Sequence, residues 1–101
     1  MTKAYWIAHV TVTDPNKYKS YMAMAPEAFR RHGARFLARG GMVTTFEGQE
    51  FDRHVVIEFD SIDQARACYN SPEYQMAKKE RDGACIASVT IVEGIGDINS
   101  I

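Results

Sequence analysis

Three side chains of this sequence can move a proton or hold an anion if the fold brings them together: His9, Arg39 and Glu58. The planar guanidinium of arginine grips an oxyanion with two parallel hydrogen bonds. An imidazole exchanges its proton near neutral pH, and a carboxylate in a desolvated site can act as a general base. Arg39 stabilising a developing oxyanion, while His9 or Glu58 takes the proton, suits a small, flat, weakly acidic organic molecule. Ser88 and Thr90 add hydroxyls for ligand binding, and so do Tyr69 and Tyr74, which flank the segment Asn70-Ser71-Pro72. Each residue also has a plainer role. Arg39 and Glu58 can form a structural ion pair, His9 can be a hydrogen-bonded core or interface residue, and the two tyrosines can pin the junction of two helices.

The elements that position these residues are legible in the residue pattern. "AYWIAHVTV" (4–12) is β-branched and aromatic, as expected of a strand covered on both faces. Asp14 as N-cap and Pro15 at the first helical position start a helix. Its apolar stripe runs through Tyr18, Tyr21, Met22, Ala25 and Phe29, with a kink or restart expected at Pro26 and a stop at Gly33. A second strand runs through "ARFLAR", breaks at Gly40-Gly41 and resumes through "MVTTFE". After the turn "GQEFD", "RHVVIEF" forms its hairpin partner. Ser61 with Gln64 has the spacing of a capping box, and Ser71-Pro72-Glu73 repeats the start signal, so two helices follow. Gly83 closes them and "CIASVTIVE" makes the last strand. The tail "GIGDINSI" either extends along a neighbour or frays.

The resulting order, β-α-β-β-α-β, is the ferredoxin-like arrangement: α+β, with one four-stranded antiparallel sheet and its helices on one side. Side chains alternate across a strand. Assigning the more apolar sets to the helices leaves His9, Arg39, His54, Glu58, Ser88 and Thr90 together on the opposite face among apolar neighbours. An uncovered apolar sheet face is larger than a soluble monomer usually exposes, so a second copy is expected to cover it and form an α/β barrel with a small-molecule pocket between the sheet and the partner chain. A one-residue slip would swap the faces, and Gly40-Gly41 is the expected place for it.

The 101 residues read as one dimeric α/β-barrel domain, 1–101, with 46% apolar and 25% charged residues and a formal net charge of -1. Nothing in that balance gives the cationic face nucleic acid requires. "MTKAYWIAHV" has no long apolar stretch, so neither a membrane association nor a secretory signal is expected and the cytoplasm is the default location. Cys68 and Cys85 lack metal-ligand spacing and read as small buried hydrophobes. No motif calls for a metal, a nucleotide or another cofactor.

"YWIAHVTVTDP" (5–15), "GARFLARGG" (33–41), "VVIEFDS" (55–61), "YNSPEYQ" (69–75) and "IVEG" (91–94) together resemble a bacterial family of small proteins, domain-of-unknown-function family 1330. The resemblance implies the dimeric α/β-barrel superfamily. Its better-known members include cofactor-free monooxygenases, muconolactone isomerase-like enzymes and haem-dependent dismutases. The haem-binding members use a proximal histidine on a helix. Here only His32, beside Gly33, stands on a predicted helix, a departure that argues against haem. Two functions follow: a cofactor-free monooxygenase or isomerase acting on a small organic molecule, or a non-catalytic homodimer that binds a metabolite or another protein.

Overall fold

The computed structural model describes residues 2–96. Its elements run β1 (Ala4–Val12), α1 (Pro15–Arg31), β2 (Arg35–Arg39), β3 (Arg53–Phe59), α2 (Ile62–Asn70), α3 (Pro72–Glu80) and β4 (Cys85–Glu93). The four strands form one antiparallel sheet in the order β2-β3-β1-β4, the ferredoxin-like arrangement, with the second helical region split in two.

Local chemistry sets the helix ends. The Asp14 carboxylate accepts from the backbone N–H of Lys17 at 3.2 Å, with Pro15 following at the first helical position. The helix α1 is a single element through Pro26, with no restart at Ala25. It closes in a Schellman arrangement: Gly33 N–H donates to Arg30 at 3.3 Å and Ala34 N–H to Phe29 at 3.1 Å. That geometry puts Gly33 at φ +69°, a conformation glycine adopts at little cost. Ser61 caps α2 by accepting from Gln64 N–H at 3.1 Å. The Gln64 side chain does not return to Ser61 as a capping box requires; it donates to the His32 carbonyl and ties α2 to the end of α1. Ser71 serves both helices that meet at it, donating its hydroxyl to the Cys68 carbonyl at 2.7 Å and accepting from Tyr74 N–H at 3.2 Å.

The helices cover one face of the sheet. Trp6 lies 2% exposed at the centre of the core. Phe29 and Tyr74 meet it edge-on, each with centroids 5.0 Å away, and Phe59 stacks at 6.2 Å. Such pairs add to the burial of their large apolar area. On the opposite face Ile86 is 57% and Val92 46% exposed, with Leu37 of β2 at 56%. The chain is 18 Å across its thinnest axis, the depth of a sheet and one helical layer.

Two expectations about the second hairpin fail. Residues 42–47 form no strand, because pairing of β2 with β3 ends at Arg39 opposite Val55. The apolar and β-branched residues beyond it have no ladder to join. From Gly40, at φ +73°, the chain leaves the sheet as an arm over residues 40–52, with Met42 and Phe46 almost fully exposed. The register slip lies upstream of the glycines: Phe36 faces Ile57 and Ala38 faces Val56, leaving Leu37 as a bulge. At the C-terminus Gly94 N–H donates to Lys3 O at 2.8 Å. The rest of the expected tail, from residue 97, lies outside the described residues.

Candidate functional site

The bulge at Leu37 decides where the anion-binding chemistry sits. With one residue set aside, Arg39 pairs with Val55 rather than with a neighbour of the opposite phase. It therefore faces the helices, not the open face on which alternation from Arg35 would place it. There its guanidinium carbon lies 4.4 Å over the Phe36 ring, a cation–π contact. Ala38 moves to the open face by the same shift.

Arg39 thus stands at a cavity of about 420 Å³ between the sheet and α1, within the range of small-molecule sites. Its floor is Trp6, Ala8, Val10, Val55 and Ile57 from β1 and β3, and its roof is Tyr18, Tyr21, Met22, Ala25, Pro26 and Phe29 from α1. Phe36, Arg39 and Arg53 complete the wall. Arg53 donates to Met22 Sδ at 3.4 Å and lies 5.7 Å over the Tyr18 ring. Among the described residues neither Arg39 nor Arg53 has a carboxylate within salt-bridge distance, whereas Arg30, Arg31, Arg35 and Arg66 each do.

The hydroxyls in this cavity are donors. Burial pushes the Tyr21 phenol well above its ordinary value, and the neighbouring Tyr74 adds to the effect. Burial also raises Tyr18, against the opposing pull of Arg53. Tyr21 Oη lies 2.9 Å from Tyr74 Oη, which accepts from Arg81 at 3.4 Å, while Arg81 lies 5.1 Å over the Tyr21 ring. Among the described residues the lining includes no carboxylate and no imidazole. The cavity can therefore neutralise an oxyanion and donate hydrogen bonds to it, but its described residues supply no group that takes up a proton near neutral pH.

The other sequence-derived candidates are dispersed. His9, Glu58, Ser88 and Thr90 lie on the open face, as their alternation indicates, but Arg39 does not join them. The expected pair of Arg39 with Glu58 is replaced by Arg35, whose Nε donates to Glu58 Oε1 at 2.9 Å while its Nη2 reaches Asp60 at 2.9 Å. The Arg35 hydrogen bond holds the Glu58 carboxyl below the usual carboxylate range. Tyr5 Oη donates to the other oxygen of Glu58 at 3.3 Å. His9 instead meets His54, Nδ1 to Nδ1 at 2.7 Å. Tyr69 and Tyr74 face the helix-side core: Tyr74 is 1% exposed, and Tyr69 packs 5.7 Å from Trp6 and 5.3 Å from Tyr74. They join the two helices to the sheet and stand behind the cavity rather than across the open face. Cys68 is buried as expected, and Cys85 only partly so.

A two-layer ferredoxin-like α+β protein with an arginine-flanked aromatic cavity is the class that fold and site define. The chain belongs to DUF1330, a domain of unknown function, whose family model matches residues 3–95. No curated protein matches it. Among solved structures it is similar to a protein of unknown function from Rhodopseudomonas palustris, with a TM-score of 0.72 at 16% identity, over 95% of this chain and 85% of that one. A dimeric protein of unknown function and ferredoxin-like fold from Bacteroides fragilis aligns with a TM-score of 0.56 at 15% identity, over 91% and 96% of the two chains. SnoaB, a cofactor-independent oxygenase from Streptomyces nogalater, aligns with a TM-score of 0.63 at 14% identity, over 97% and 98%. At these identities the likeness is one of fold. No helix among the described residues is long and apolar enough to cross a membrane.

Proposed function

We propose that this protein is a homodimer in which each chain binds a flat, largely apolar organic anion in the cavity between its sheet and α1. The observation that carries the reading is the pair of arginines, Arg39 and Arg53, which have no carboxylate partner among the described residues and stand at a cavity walled by aromatic and aliphatic side chains. A cation placed beside apolar walls favours a ligand with one charged end, a carboxylate, phenolate or enolate. Tyr18 and Tyr21 supply hydrogen bonds to it. The exposed Leu37, Ile86 and Val92 of the open face support dimerisation through that face, and relatives of the same fold are described as dimeric.

The same arrangement favours chemistry on an enolisable ligand. With no base among the described residues of the wall, the proton passes to solvent water at the end of the cavity marked by the exposed Arg39. The ligand's own acidity drives the step, increased by the Arg39 and Arg53 guanidinium groups that stabilise the enolate. Isomerisation, or oxygenation of the kind carried out by the cofactor-independent oxygenase of similar fold, can start from such an anion. His9 and Glu58, on the far face, take no part in it.

Native mass spectrometry of the purified chain tests this reading. The expected result is a dimer that takes up one aromatic carboxylate per chain, with a neutral analogue of the same shape retained far less. A protein that binds the neutral analogue equally well contradicts the role of the arginines.

A further inference from the structure

On the open face a pair of histidines stands apart from the Arg35–Glu58–Asp60 network and from the cavity. His9 of β1 and His54 of β3 are cross-strand partners, with Nδ1 atoms 2.7 Å apart and rings 4.9 Å apart, edge to face. A contact of that length has room for one proton, donated by one Nδ1 and accepted by the other. The Nε2 atom of His54 is buried without a hydrogen-bond partner, so an N–H there has nothing to donate to. Phe51, from the end of the 40–52 arm, packs 5.6 Å from the His9 ring, so the pair also seats the arm.

The surroundings hold few other charges. From the arm, Glu47 lines the same open groove as the two histidines. From β4, His9 faces Ser88, which is uncharged. Ile7, Thr11 and Val56 continue the two strands on this face, and the next ionised groups along it are Glu58 and Arg35, already paired with each other. Arg53 precedes His54 in sequence but lines the cavity on the other face.

We propose that the His9–His54 pair is a proton-operated switch on the homodimer interface, a proposal that rests on dimerisation through the open face. Neutral, the pair shares one proton and sits quietly under an apolar surface. When both imidazoles are protonated, donor meets donor and two cations lie on the surface a second copy covers. The pair separates, Phe51 loses its seat, and the dimer loosens. The chain has three histidines, and the third, His32, is bound to the Ala28 carbonyl at 2.8 Å at the end of α1. Glu58, held low by Arg35, titrates below this range.

Sedimentation equilibrium of the full chain between pH 8 and pH 5 tests the switch. The expected dimer dissociation constant rises as pH falls across this range, by about a hundredfold per pH unit if the pair in each of two chains takes up one proton on separating, and more steeply if it takes up both. His54→Gln and, independently, His9→Asn keep a polar group but cannot titrate, and each is expected to flatten that rise. A wild-type constant that stays flat to pH 5 overturns the switch and leaves the dimer standing. A steep rise that persists in both variants also overturns it. A wild-type chain that is monomeric throughout overturns the dimer reading, and the switch with it.

Discussion

Replacing Arg39 by alanine removes one of the two guanidinium groups of the cavity without touching the core, because the side chain is exposed and packs on the face of Phe36. A hydrogen bond to a charged group contributes roughly 1.5–3 kcal/mol. Solvent around Arg39 draws its share toward the low end, so the single variant should weaken binding of an aromatic carboxylate by about tenfold. Arg53 is half-buried beside Tyr18 and Met22, and its loss should cost at least as much. The double variant should approach the product of the two effects, about a hundredfold, if each guanidinium holds its own ligand oxygen. The protein carries its own reporter, since its one tryptophan, Trp6, lines the cavity. Titration of 4-ethylbenzoate against 4-ethyltoluene, read by Trp6 fluorescence, separates charge recognition from apolar fit. Wild type should prefer the carboxylate, with a preference that falls as salt rises, and Arg39→Ala/Arg53→Ala should show neither. Equal carboxylate affinity in wild type and the double variant, or an equally large loss in Glu58→Gln on the opposite face, refutes the reasoning.

Two further outcomes follow from the electrostatics. Because Arg35 holds the folded-state pKa of Glu58 below that of an unfolded carboxyl, the stability this carboxylate contributes is present above the ordinary carboxylate range and is lost as pH falls through the depressed value. Urea denaturation should therefore show Glu58→Gln less stable than wild type at pH 7, with the gap closing toward pH 3; a gap that widens on acidification contradicts the pairing. Burial pushes the Cys68 thiol up to about 12, whereas Cys85 is partly exposed, so iodoacetamide at pH 8 should label native protein at Cys85 and reach Cys68 only after unfolding, as peptide mass mapping would show.

The elements of this fold could be read from short-range chemistry. Asp14-Pro15 and Ser71-Pro72 mark helix starts that the structure keeps, and the alternation of Val55, Ile57 and Phe59 assigns the β3 faces as observed. The site was harder to see, because one bulge governs it. Nothing in "RFLAR" distinguishes Leu37 from its neighbours, and the bulge appears only in the pairing with β3. It moves Arg39 through the sheet and separates it from His9 and Glu58. Arg53, by contrast, was within reach of sequence reasoning. It continues the phase of Val55 and Ile57 backward by two residues, so alternation alone places a cation on the helix side. The strand expected over 42–47 shows the limit of propensity, since β-branched residues form a strand only where a neighbour offers a ladder.

The proposed function assigns ligand recognition to the helix-side cavity and not to the open sheet face. Chemical-shift mapping of the isotopically labelled protein with 4-ethylbenzoate tests it most directly. The prediction is that the Trp6 indole and the amides of Tyr21, Ala25, Phe36 and Arg39 move on titration while those of His9, Ser88 and Thr90 stay in place. Shifts centred on His9, Ser88 and Thr90, with Trp6 unmoved, would contradict it.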